Sequence, residues 1–186
     1  MAIWEKAQVT VDPTRRLLLR ATVAGSIMAV APLSTACAAS ERRLELQNLH
    51  TGEKVNQPYW IQGQYLPDSL ATINSVLRDH RSGEVYPIDP GLLDLLSALQ
   101  QRVDSRQGYH VISGYRSPAT NASLHSKSQG VAKRSLHMQG RAIDIRLPGT
   151  QLASLQRAAM EMKSGGVGLY TGSNFIHVDT GRVRSW

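Results

Sequence analysis

Beyond residue 40 the apolar positions fall into two periods. Around the polar centre His50-Thr51-Gly52-Glu53, Leu44, Leu46 and Leu49 lie on one side and residues 55–60 on the other, which predicts a hairpin over 43–60. Residues 68–79 predict a helix with Asp68 as N-cap after Pro67. Asp89-Pro90 opens a second helix, with Leu92, Leu95, Leu96 and Leu99 on one face and Val103 continuing it. Elements then alternate: a strand over 109–113, a short helix over 118–126 and a strand over 141–147. A helix over 150–163 follows, capped by Thr150 and stopped at Gly165-Gly166, and two strands close the chain over 167–170 and 175–180. No internal repeat or low-complexity tract interrupts this order. It predicts an α+β domain, a mostly antiparallel sheet flanked by helices.

The first 38 residues read differently. Thr14-Arg15-Arg16-Leu17-Leu18-Leu19-Arg20 has a twin-arginine arrangement, and a modest apolar stretch follows over 21–33. Ala36-Cys37-Ala38 offers small residues for cleavage before Ala39. The stretch is short of the roughly 20 apolar residues a membrane span needs. The expected organisation is an export signal over 1–38 and one domain over 39–186, delivered to the periplasm and without a transmembrane segment. Cys37 in Leu33-Ser34-Thr35-Ala36-Cys37 faintly resembles a lipoprotein cleavage box, so a lipid anchor is the alternative, although Ser34 stands where that box has leucine.

Charge and cysteine count narrow the chemistry. The chain carries net charge +7, and residues 39–186 keep +5 from 17 basic and 12 acidic side chains. A basic surface suits a polyanion. Export counts against nucleic acid and leaves an anionic membrane or cell-wall polymer. Cys37 is the sole cysteine, so any metal in the domain must be held by His and carboxylate.

Ser135-x-His137-x-x-Gly140-x-Ala142-x-Asp144 and His177-Val178-Asp179 supply such groups. The spacing of 137 and 144 is not that of a helical pair of ligands. A loop turning at Gly140 into a strand near Asp144 can instead bring both side chains to one point. By alternation Ile143 and Ile145 face away from Asp144, and His177 shares a face with Asp179. A carboxylate between apolar neighbours needs a partner, and a metal is one. A hydrogen-bonded structural histidine and a strand-end cap are the other readings. Two imidazoles and one carboxylate form a zinc set that leaves a position open for water.

These pieces, with Ser113-Gly114-Tyr115-Arg116-Ser117-Pro118, Asn121, Gly166-x-Gly168-x-Tyr170 and Phe175-x-His177-x-Asp179, resemble the zinc D,D-peptidase superfamily, which shares its fold with the hedgehog signalling domain. The nearest resemblance is to its murein endopeptidase K branch. The motifs span about residues 85–182. The resemblance implies a hedgehog/D,D-peptidase-like fold, one Zn2+ and hydrolysis of peptidoglycan cross-links between meso-diaminopimelate residues of the peptide stems. His137, Asp144 and His177 match the ligands, and Arg116 matches a residue that meets substrate or polarises the scissile carbonyl. Several relatives place an acid three positions before the last histidine, where this chain has Asn174.

Asp179 is therefore a candidate general base, or a partner that orients His177. His110 and His125 are further candidates for the base. Arg134 and Arg141 join Arg116 as groups that could meet stem carboxylates. Gly165, Gly166 and Gly168 could let a peptide run close to a strand, or could mark only a helix stop and a turn. A D,D-carboxypeptidase on stem ends and a non-catalytic zinc module of the same fold are the alternative functions.

Overall fold

The computed structural model describes residues 40–128 and 130–186; the expected export signal and Cys37 lie outside them. Strand β1 (Glu41–Asn48) buries Leu44, Leu46 and Asn48 and leaves Arg43 and Glu45 exposed. Strand β2 (Lys54–Ile61) returns antiparallel with Val55 opposite Leu46, the predicted hairpin. Asn48 ties its turn to the next helix. Its Nδ2 donates to Val76 O at 2.9 Å, and its Oδ1 accepts from the His50 amide at 2.9 Å. A two-residue strand, β3 (Gln64–Tyr65), adds an edge that the sequence pattern does not announce.

Helix α1 (Pro67–Val76) starts earlier than expected. Leu66 is its N-cap, and Asp68 lies in the first turn, where its charge favours the helix dipole without capping it. The helix also ends before Asp79, which turns inward instead. Helix α2 (Pro90–Arg102) is capped as expected, with Asp89 accepting from the Gly91 amide at 2.9 Å. It buries Leu92, Leu93, Leu95, Leu96 and Leu99, each worth about 1.5–3 kcal/mol of transfer free energy when fully buried.

Strand β4 (Tyr109–Ser113) pairs parallel with β1, and helix α3 (Pro118–Lys127) follows, capped by Ser117. Strand β5 (Ala142–Arg146) leads to helix α4 (Leu152–Met162). The N-cap of α4 is Gln151, not Thr150, and Lys163 closes it in the left-handed region at φ 51°. The expected stop at Gly165-Gly166 thus falls two residues late. Strands β6 (Gly166–Tyr170), β7 (Phe175–Asp179) and β8 (Arg184–Ser185) complete one sheet in the order β3-β2-β1-β4-β5-β7-β6-β8. Only the β1–β4 and β6–β8 neighbours are parallel.

Helices α1, α2 and α4 pack on the sheet, where Ile143, Ile145, Ile176 and Val178 join the core. Alternation turns Asp144, His177 and Asp179 to the other face. Among the described residues no helix is long and apolar enough to cross a membrane.

Candidate metal centre

Register places the site. Ser113 on β4, Asp144 on β5, His177 on β7 and Gly168 on β6 form one row of cross-strand partners. A register shift between Val111 and Ser113 turns Ser113 toward Asp144. His137 comes from outside the sheet, on a 3₁₀ turn (Leu136–Gln139) that Gly140 closes at φ 63°. A side chain at Gly140 would also strike Pro87 O, at 2.2 Å from its Cβ. The turn is stitched to the loop after β4: His137 Nδ1 meets Gly114 O at 2.7 Å, and the Arg116 amide donates to His137 O at 3.2 Å.

His137, Asp144 and His177 are all buried, and one ligand atom from each lies within 4.8 Å of the others. Gly114 O only accepts, so His137 Nδ1 carries hydrogen and its Nε2 presents a lone pair. His177 Nε2 faces Asp179 Oδ2 at 3.0 Å, which leaves Nδ1 as that ring's free nitrogen. Those two nitrogens stand 3.3 Å apart, and both point at Asp144 Oδ1, at 3.3 and 2.9 Å. Three lone-pair donors converge on one point, which demands a cation or a proton between them. The donor set fits a divalent metal.

The electrostatics agree. Burial disfavours an ionised Asp144, yet the adjacent His137 and His177 outweigh it and hold the carboxyl well below its ordinary range. Burial likewise opposes charge on His177, but bonds to Asp144 and Asp179 raise its pKa.

The centre opens into a cleft of about 430 Å³. Arg116, Arg134 and Arg184 line it, with Tyr170, Phe175 and Trp186. Arg116 is 8 % exposed; its Nη2 reaches Ser113 Oγ at 3.2 Å and Asp144 Oδ2 at 3.5 Å, and its Nε is buried without a partner among the described residues. Two anchors hold its loop and the facing segment. Asp79 Oδ2 accepts from the Ser117 amide at 3.0 Å, and Asn121 Nδ2 donates to Ala132 O at 3.1 Å.

Other sequence candidates fall elsewhere. Arg141 lies outside the cleft lining; its guanidinium bonds Thr180 and approaches Asp89 Oδ2 at 3.9 Å. His110 pairs in register with Arg146 on β5 and does not line the cleft. His125 is exposed and bonds Val131 O at 2.7 Å. Asn174 closes an exposed turn at φ 56°. Asp179 is fully buried, and its oxygens meet His177, Arg184 and the amides of Gly166 and Gly181. The glycines of β6 leave room for the chain's own Arg184 and Trp186 rather than for a strand-hugging peptide. Those two residues gave no motif in the sequence. The one available signal was their i, i+2 spacing, which matches that of Gly166 with Gly168.

The family model described as peptidoglycan L,D-endopeptidase MepK matches residues 36–186. The peptidoglycan L,D-endopeptidase MepK of Escherichia coli K12 is 40% identical over 178 residues, covering 94% of this chain and 98% of the relative, and that of Shigella flexneri gives the same figures. The probable peptidoglycan L,D-endopeptidase MepK of Haemophilus influenzae is 38% identical over 162 residues, 87% of each chain. No solved structure matches the chain significantly.

Proposed function

The chain belongs to the peptidoglycan L,D-endopeptidase MepK family, and from that premise we propose that it is a zinc-dependent endopeptidase of the periplasm that cuts cross-links between diaminopimelate residues. The observation that carries the reading is the convergence of His137 Nε2, Asp144 Oδ1 and His177 Nδ1 on one buried point at the floor of a cationic cleft. Two nitrogens and one carboxylate oxygen are a zinc set with room for a further ligand.

When bound, the zinc supplies Lewis-acid activation of water and of the scissile carbonyl. The protein does the rest. Gly114 O and Asp179 fix the two histidine rings, so each turns a lone pair inward. Arg116 lines the cleft with its Nη2 beside Asp144, and its guanidinium brings positive charge to where negative charge develops on the carbonyl oxygen. Arg134, exposed at the cleft wall, suits the free carboxylates of the stem peptides. Asp179 holds His177, because its oxygens already accept from several donors inside the protein.

Digestion of purified sacculi tests the reading. Release of soluble fragments should stop with chelator and return with zinc; undiminished release in chelator contradicts it. The export route rests on Arg15-Arg16. Replacing both by Lys should hold the precursor in the cytoplasm, and normal periplasmic delivery would exclude the twin-arginine route.

A further inference from the structure

Three strands place residues at i, i+2 on the face that holds the metal centre. On β7 they are His177 and Asp179; on β8 and the residue after it, Arg184 and Trp186; on β6, between them, Gly166 and Gly168. Strand β6 pairs with both others, antiparallel to β7 and parallel to β8, with Gly168 opposite His177 and Gly166 opposite Arg184. The middle strand is therefore bare on this face, and the side chains of β8 lie across it to reach β7.

The fit is close at both glycines. A Cβ at Gly166 would sit 2.3 Å from Arg184 Nη1 and 2.5 Å from Asp179 Oδ2. A Cβ at Gly168 would sit 2.6 Å from Trp186 Cε2. Through that gap Arg184 forks onto Asp179, with Nη2 to Oδ2 at 2.6 Å and Nη1 to Oδ1 at 3.1 Å. Trp186 backs the fork, its ring centroid 4.9 Å from the guanidinium carbon, and tilts against the His177 ring at 5.3 Å. Its indole N–H donates to Tyr170 OH at 2.9 Å, and β8 itself is held by Leu169 N to Trp186 O at 3.0 Å.

We propose that Arg184 is a positioning residue for the metal centre: through Asp179 it holds His177 with Nε2 protonated and Nδ1 directed inward, and Gly166 and Trp186 are the parts that let it do so. A guanidinium cannot give up its proton in a protein, so it keeps Asp179 an acceptor. A buried carboxylate with no cation beside it would be costly, and the amides of Gly166 and Gly181 cancel only part of that cost. Carboxylates behind a ligating histidine fix its ring and its tautomer, and losing such support weakens metal binding by roughly 10- to 100-fold. The inference rests on the metal-dependent reading above.

The test measures zinc affinity of the full-length chain by competition with a chromophoric chelator, alongside thermal melts of the metal-free proteins. Arg184→Met and Gly166→Ala should each lower zinc affinity roughly 10- to 100-fold. Arg184→Lys, which keeps the charge but not the fork, should fall between them and the parent chain. Wild-type affinity in both Arg184 variants overturns the proposal. If Arg184→Met does not fold, Arg184→Lys and Gly166→Ala decide, and parental affinity in both overturns it equally. A parent chain that binds no zinc would instead remove the metal reading itself.

Discussion

Asp144 and His177 are direct partners across β5 and β7, and their side chains meet with Oδ1 2.9 Å from Nδ1. Two central, hydrogen-bonded strands thus hold two of the three candidate ligands, and only His137 depends on a turn. Such a pair is rigid before any ion arrives. Replacing His137, Asp144 or His177 by Ala should each abolish hydrolysis and lower zinc content well below one per chain, as elemental analysis would show. Full activity in His177→Ala would exclude it as a ligand.

Substitutions at Arg116 would separate charge stabilisation from metal binding. Arg116→Ala should retain zinc and lose about 10²- to 10³-fold in kcat, the usual loss for a donor aimed at a developing oxyanion. Arg116→Lys restores charge without the planar fork and should recover only part of it. Kinetics on a soluble muropeptide with parallel zinc assays check this. A change confined to KM would assign Arg116 to ground-state binding instead.

Asp179 and Asn174 bear on which group could act as general base. Asn174 sits in an exposed turn, and Asp179 is buried behind His177 with donors on both oxygens. Asp179→Asn should therefore weaken zinc retention and regain activity when zinc is added in excess. A rate still depressed on the order of 10²-fold at saturating zinc would make Asp179 the general base.

Acid should loosen the loop that presents Arg116. Burial opposes ionisation of Asp79, but Thr120, the Arg81 amide and Ser117 outweigh it and hold its carboxyl well below the ordinary 3.8. A carboxyl depressed in the folded state contributes stability that is complete above its unfolded value and drains as pH falls through its folded one. Thermal melts should therefore show wild type losing its margin over Asp79→Asn only below about pH 4. An equal gap between the two at pH 2 and pH 6 would contradict the role.

The sequence made some of this legible and hid the rest for physical reasons. Leucine spacing shows α2, and alternation shows β1 and β4, because each buries one regular face; β5 and β7 are buried on both faces and read as strands from their apolar residues flanking Asp144 and His177. Strands β3 and β8 have two residues each, too few for any period. The parallel joins of β1 with β4 and of β6 with β8 depend on packing between distant segments. Asp68 and Thr150 are good capping residues that the chain passes over for Leu66 and Gln151, so composition near a helix start did not fix its first residue. At the site, His137, Asp144 and His177 stood out by residue type and motif. Arg184 and Trp186 did not, since an arginine and a tryptophan two apart signify nothing until β6 is seen to be bare beneath them.

Digestion of a purified muropeptide dimer joined through two diaminopimelate residues, with products read by mass, tests the central claim most directly. The predicted result is hydrolysis to the two monomers, abolished by chelator and restored by zinc. An intact dimer, or loss of only a terminal D-alanine from stem ends, would contradict it.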